Sequence, residues 1–117
     1  MAKVRKRETT AHIAVVFTKT GSQVLSDWDV VLADRKRGVL GHGAHHLILR
    51  DGDNYPTRDY EVYGNVELEH DGYNDDSVFI RIVGDENNMT TAQCDALEEV
   101  IAELQEKYPD AEVVYLN

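Results

Sequence analysis

Apolar residues recur along this chain in five short runs separated by polar turns. The runs are rich in β-branched and aromatic residues, which is typical of strands. They lie at residues 12–18, 44–50, 60–68, 78–83 and 112–116. The run at 78–83 is the most strand-like, which predicts a central position, although Arg81 within it requires a partner or an exit to solvent. Alternation within 44–50 points the adjacent His45 and His46 to opposite faces.

Two further stretches repeat their apolar residues at helical spacing. In the first, one face carries Val24, Trp28, Val31 and Leu32. Ser22 or Ser26 can cap this helix, and Gly38 ends it.

The second helical stretch has the clearer boundaries. Thr90 with Gln93 fits a capping box, and Pro109 stops the helix. Its apolar stripe consists of Leu97, Val100, Ile101, Leu104 and Tyr108. The order of strand, helix, three strands, helix and strand predicts an α/β fold in which the helices pack on a single mixed β-sheet.

Length predicts the number of domains, and net charge indicates the kind of surface that the protein can bind. The 117 residues are enough for one domain, predicted at 11–117 behind a flexible basic arm at 1–10. Net charge is −10; the first eight residues carry +3, so the remainder carries −13. Such an acidic body repels nucleic acid phosphates and membranes and attracts basic protein surfaces, although solubility alone also explains it.

Targeting signals and cysteines bear on the cellular compartment in which the protein is expected. No apolar run reaches the roughly 18 residues of a membrane span, and no apolar segment follows the basic head as in a secretory signal. Cys94 is the only cysteine, which excludes an internal disulfide and is consistent with a reducing cytoplasm. Its place near the start of a helix admits a reactive thiol, but a small buried apolar role is the more common one.

The stretch from Gly41 to Gly52, GHGAHHLILRDG, holds three of the five histidines and has the strongest chemical character. His45 is expected to be a core or cleft-lining residue, whereas His42 and His46 are expected at the surface. A metal site made of His42, His70 and Asp75 or Asp76 is a minor alternative.

Four stretches, in order, carry a resemblance to a known family. They are 42–52 (HGAHHLILRDG), 70–74 (HDGYN), 77–84 (SVFIRIVG) and 89–93 (MTTAQ). Together they resemble the zinc-dependent N-acetylmuramoyl-L-alanine amidases, which include small phage lysozymes of amidase type and peptidoglycan recognition proteins. The resemblance covers the chain from about residue 12 and implies an amidase-like fold.

The departures from the family pattern bear on activity. The family's first zinc histidine ends its first strand, and we assign Phe17 to that position. The tyrosine associated with catalysis becomes Ala44, while His45 and His70 match family histidines that are not zinc ligands. The chain stops at Asn117, about where the second zinc histidine is expected, so we expect an amidase fold truncated at the C-terminus, with no metal, no cofactor and no enzymatic activity.

Three functions remain open from the sequence. The first is a phage or mobile-element inhibitor that contacts a host enzyme, one that handles nucleic acid or takes part in defence; phage lysozymes of this family also bind and inhibit a phage RNA polymerase. The second is a non-catalytic peptidoglycan- or muropeptide-binding module, and the third a residual amidase. The inhibitor is expected to work in the bacterial cytoplasm, to dock on a basic protein surface and to bind neither membrane nor nucleic acid. Its expected contact residues are Glu67, Glu69, Asp71, Asp75, Asp76, Asp85 and Glu86.

Overall fold

Five strands and two α-helices make up the part of the chain that the structure describes. A computed structural model describes residues 7–39, 41–66 and 72–116. The strands are β1 (His12–Phe17), β2 (His46–Ile48), β3 (Asn54–Pro56), β4 (Ser77–Ile82) and β5 (Glu112–Tyr115). The helices are α1 (Asp27–Lys36), between β1 and β2, and α2 (Thr91–Lys107), between β4 and β5. A 3-10 turn at Glu86–Asn88 precedes α2.

The strands form one mixed sheet in the order β3-β2-β4-β1-β5. Among the described strands, β3 runs antiparallel to β2, whereas the pairs β2–β4, β4–β1 and β1–β5 are parallel. The predicted single mixed sheet and the central position of 78–83 are therefore confirmed. Both faces of β4 are covered, which explains why its residues read as a continuous apolar run.

The two helices cover opposite faces of the sheet. On one face, α2 packs its buried residues against the odd-numbered positions of β1, such as Ile13 and Val15, and against Ile48 of β2. On the other face, Val30 of α1 packs against Leu47 and Val83. Because neighbouring residues of a strand point to opposite faces, the adjacent Leu47 and Ile48 serve different cores.

The first helix begins at its predicted cap but buries a different face. The Ser26 hydroxyl accepts a hydrogen bond from the backbone N–H of Asp29, and the Asp29 carboxylate accepts one from the backbone N–H of Ser26. The predicted apolar face is wrong, because the buried residues are Val30 and Asp34 while Trp28 is 60% exposed. The helix starts only at Asp27, so Val24 lies outside it and contributes nothing to its periodicity.

The second helix follows the prediction closely. The Thr90–Gln93 capping box is present, and Leu97, Val100 and Leu104 form its buried stripe. The buried Gln93 amide also donates to the carbonyl of Val83, which joins the start of the helix to the end of β4. No helix among the described residues is long and apolar enough to cross a membrane.

The predicted strand at 60–68 is wrong where the structure describes it. The third strand is instead β3, formed by residues 54–56 directly after the Asp51–Gly52 turn. Residues 60–66 form a loop held by side-chain hydrogen bonds, since Arg58 donates to the carbonyls of Tyr63 and His42. Gly64 lies against the Phe79 ring, where a Cβ would come within 2.4 Å of it.

The folded body also begins earlier than residue 11. The backbone N–H of Arg7 donates to the carbonyl of Glu61, and its guanidinium donates to the carbonyl of Val62 and the hydroxyl of Tyr108. Arg7 is therefore tied to the domain, whereas Glu8 and Thr9 after it are exposed. Residues 1–6 lie outside the described part of the chain.

Candidate functional site

The positions assigned to the family's site do not all lie on one face of the sheet. Ala44 is buried on the α1 face, in an apolar cluster with Ala14, Val16 and Phe79 of the neighbouring strands and Val66 of the loop. Phe17 points to the opposite face, into the α2 core. The β1 side chain that shares a cluster with Ala44 is therefore Val16. Neither the Val16 nor the Phe17 side chain can bind a metal, and the assignment of Phe17 to the family's ligand position stays a prediction.

His45 is fixed in the interior by two hydrogen bonds to backbone. Its Nδ1 accepts the backbone N–H of Phe79 at 2.9 Å, and its Nε2 donates to the carbonyl of Val62 at 2.8 Å. The ring stacks on the Phe79 ring, with 6.1 Å between centroids. Burial lowers the His45 pKa to about 4, so the ring is neutral near pH 7. The expected core role is confirmed.

The two neighbouring histidines are also buried, which corrects the expectation that they lie at the surface. His42 places Nε2 2.6 Å from a carboxylate oxygen of Asp27, at the start of α1. His46 hydrogen-bonds through Nδ1 to the side chain of Asn54 and through Nε2 to the hydroxyl of Tyr60. Burial lowers the His46 pKa. Each of these two histidines is covered by residues from other elements: His42 by the start of α1, and His46 by β3 and the loop after it. Strand alternation within 44–50 could not predict such contacts.

A buried carboxylate on α1 organises the α1 face of the sheet. Asp34 is 1% exposed and accepts hydrogen bonds from Arg81 at 2.7 Å, Arg37 at 2.5 Å and the backbone N–H of Gly43 at 2.8 Å. Burial opposes its ionisation, but Arg81, Arg37 and Gly43 together lower the Asp34 pKa. This is the partner that Arg81 required.

Sequence reasoning did not identify Asp34 as a functional candidate. The available signal was its position four residues after Val30, on the same helix face. An acid on the buried face of a helix, in a chain that also carries an arginine inside a buried strand, indicates that the two form an ion pair.

A cavity of about 150 Å³ lies between α1 and the ends of β1 and β4. Thr18, Thr20 and Asp29 line it together with Arg37 and Arg81. Leu25, Val30 and Ala33 form the apolar part of its wall. Arg81 and Asp34 are buried and paired with each other. Arg37, with 29% of its side chain exposed, is therefore the guanidinium that a ligand in this cavity could reach.

The described residues do not fit a zinc ion. Among residues 7–39, 41–66 and 72–116, no three His, Cys, Asp or Glu side chains gather as a ligand group. Of the minor alternative set, His42 contacts Asp27 and Asp76 contacts His12, at 3.4 Å. His70 and Asn117 lie outside the described residues. A hydrolytic zinc ion requires three protein ligands and an open position, and the described residues do not supply such a set.

The predicted contact acids are described only in part. Glu67, Glu69 and Asp71 lie outside the described residues. Asp75 and Glu86 are exposed. Asp76 is half-buried, and its carboxylate accepts a hydrogen bond from the Ser77 hydroxyl at the start of β4. Asp85 accepts from the backbone N–H of Gly21.

Cys94 differs from its expected role as a small buried residue. It is exposed, because its position in the first turn of α2 faces away from the buried stripe.

A mixed sheet with α1 and α2 on opposite faces defines the class of fold, and the comparisons identify it as amidase-like. The structure superposes on the endolysin LysCS from Clostridium intestinale URNW with a TM-score of 0.75 at 20% identity, covering 98% of this chain and 76% of that one. It superposes on Drosophila peptidoglycan recognition protein SD with a TM-score of 0.78 at 17% identity, covering 98% and 74%. These two matches show the fold alone.

Sequence comparison gives the family. The sequence model of the N-acetylmuramoyl-L-alanine amidases matches residues 8–115. The endolysin of Klebsiella phage KP32 is 32% identical over 126 residues, covering 95% of this chain and 78% of that protein. This chain therefore belongs to the N-acetylmuramoyl-L-alanine amidase family.

Proposed function

We propose that this amidase-family chain has no amidase activity and acts by protein contact, as a phage or mobile-element inhibitor of a host enzyme. The host enzyme would handle nucleic acid or take part in defence, and binding would occur in the bacterial cytoplasm. The relation to phage endolysins supports a phage or mobile-element origin.

One observation carries the loss of activity. The place beside Ala44, where the resemblance puts catalytic chemistry, is occupied by the hydrocarbon side chains of Val16, Val66 and Phe79, each at most 2% exposed. A hydrolytic zinc site needs polar ligands and room for water. A close-packed apolar cluster provides neither, so no water can be activated there.

The charge supports a basic protein partner. Net charge is −10, and a field of this sign speeds association with positive surfaces while repelling phosphate backbones and anionic membranes.

Activity and partner are tested separately. Purified protein is assayed for peptidoglycan hydrolysis beside the KP32 phage endolysin, and its zinc content is measured. We expect no hydrolysis above buffer and no stoichiometric zinc; zinc that is lost in His70→Ala, together with hydrolysis, would overturn the proposal. Tagged full-length protein is then used to capture partners from an enterobacterial lysate. We expect one stoichiometric protein that is released as salt rises.

A second candidate is a non-catalytic module that binds muropeptides. The cavity between α1 and the sheet favours it, because Arg37, with 29% of its side chain exposed, offers guanidinium donors to a peptide carboxylate. Calorimetric titration with a soluble muropeptide tests this function. Binding that is lost in Arg37→Ala, with no protein captured from lysate, would replace the inhibitor proposal.

A further inference from the structure

Three of the four large apolar side chains that are exposed in the described residues lie around α1 and β3. Val24 is 82% exposed, Trp28 60% and Tyr55 40%. We call these three residues the Trp28–Tyr55 patch. Exposed tryptophan and tyrosine are enriched where proteins bind one another, because a large ring gains much contact area for little lost freedom.

The sheet and the helix bring the members of this patch to one side of the molecule. Tyr55 pairs with Leu47 across the β3–β2 ladder, and paired residues share a face. Leu47 packs on Val30 of α1, so Tyr55 lies on the α1 face. Asp27, the residue before Trp28, is close enough to Tyr55 to help raise the pKa of its hydroxyl. Trp28 lies in the first turn of α1, so it is on the same α1 side of the molecule as Tyr55.

Three carboxylates act on the tyrosine, and two of them, Asp51 and Asp53, lie in the turn just before its strand. Asp53 contributes most to raising the Tyr55 pKa, and Asp51 and Asp27 add to it. Asp51 and Asp53 are exposed, and the Asp27 side chain is 53% exposed although it contacts His42. An aromatic ring with carboxylates around it suits an arginine or lysine side chain, since the cation can stack on the ring and pair with an acid. Arg35 of α1 already lies over the Trp28 ring, 6.0 Å from its centroid.

We propose that the Trp28–Tyr55 patch is the surface that docks on the protein partner, with an arginine or lysine of that partner seated against Tyr55 among Asp27, Asp51 and Asp53. This inference rests on the proposed function and moves the contact surface from the acids at 67–76 and 85–86 to the α1–β3 side. The apolar rings supply the buried centre of the contact, and the aspartates select a basic surface over an acidic or neutral one.

The test compares matched variants in the same capture. Wild type, Trp28→Ala, the pair Asp51→Asn with Asp53→Asn, and the pair Glu98→Gln with Glu99→Gln are each tagged as full chains and exposed to one enterobacterial lysate. The two pairs remove equal charge, but Glu98 and Glu99 are exposed on α2, on the opposite face. The partner captured by wild type is then purified, and its Kd for each variant is measured. We expect the Kd to rise about tenfold or more for Trp28→Ala and for the Asp51/Asp53 pair. We expect it to be unchanged for the Glu98/Glu99 pair.

A second readout keeps the test independent of folding effects. Trp28 is the only tryptophan, so 5-fluorotryptophan labels the patch alone and gives one ¹⁹F signal. We expect this signal to change its chemical shift when the captured partner is added to otherwise wild-type protein. An unchanged shift in a saturated complex would overturn the assignment of Trp28.

The remaining outcomes separate this inference from the proposed function. Stoichiometric capture that Trp28→Ala and the Asp51/Asp53 pair leave intact overturns the patch but not the inhibitor. Equal weakening by the Glu98/Glu99 pair also overturns it, because general charge would then explain binding. A wild-type dimer in sedimentation that Trp28→Ala dissolves assigns the patch to a second copy and overturns the partner. No capture by wild type overturns both proposals.

Discussion

Acidification is expected to destabilise this protein through the protonation of His45. Its Nδ1 accepts the N–H of Phe79 and its Nε2 donates to the carbonyl of Val62, so both ring nitrogens are used by the neutral form. Adding a proton to Nδ1 breaks the bond to Phe79 and places a charge in a fully buried position. Arg7, Arg58 and His46 add smaller repulsive contributions to the effect of burial.

The size of the effect follows from the pKa. Burial lowers the pKa of His45 from 6.5 in the unfolded chain to about 4 in the folded state. Between these values the unfolded chain binds more protons, so stability is complete above pH 6.5 and falls as the pH drops toward 4. At 1.36 kcal/mol per pKa unit, the loss approaches about 3 kcal/mol at pH 4 and is roughly 2 kcal/mol at pH 5.

Urea unfolding from pH 7.5 to 4.5 measures this loss directly. The His46 pKa is also lowered by burial and adds to the wild-type slope with the same sign, so the comparison must be with a His45 variant. In His45→Asn, an amide oxygen can still accept the Phe79 N–H, but the site no longer titrates. We expect the stability difference between wild type and variant to shrink by about 2 kcal/mol between pH 7.5 and pH 5. Parallel curves over this range would refute the assigned role of His45.

Three further substitutions test the packing of the α1 face and the start of α2. Asp34→Ala leaves Arg81 buried without its carboxylate and should cost about 3–5 kcal/mol in urea unfolding, whereas a loss under 1 kcal/mol would mean that water replaces the carboxylate. Gly43→Ala would place a Cβ 2.0 Å from the backbone oxygen of Asn65, so we expect a lower Tm by differential scanning calorimetry; an unchanged Tm would show that the loop moves freely. Thr90→Ala removes the cap of α2 and should cost about 1 kcal/mol in chemical denaturation, while Thr90→Ser should restore most of it.

The elements that were predicted well are those whose signals are local. The capping box at Thr90, the stripe of α2 and the β-branched run of β4 depend on neighbours within a few residues, and each was confirmed. The apolar face of α1 was predicted wrongly because Trp28 matched the periodicity but not the burial. A helix that buries an aspartate in place of a tryptophan cannot be recognised without knowing what lies opposite it.

The candidate site depended on contacts between distant residues. Asp34 and Arg81 are 47 positions apart, and His45 and Phe79 are 34 apart. Spacing along the chain says nothing about such pairs, which explains why His42 and His46 were expected at the surface although both are buried.

The sequence by itself determined the family, the order of the elements and the single mixed sheet, because strand and helix periods and turn residues act over short distances. Only the tertiary structure decided which side chains share a face. It placed Val16, not Phe17, beside Ala44, paired Asp34 with Arg81, and left Trp28 and Tyr55 at the surface. The physical reason is that burial and charge pairing depend on the elements packed opposite a residue, and the fold brings these from distant parts of the chain.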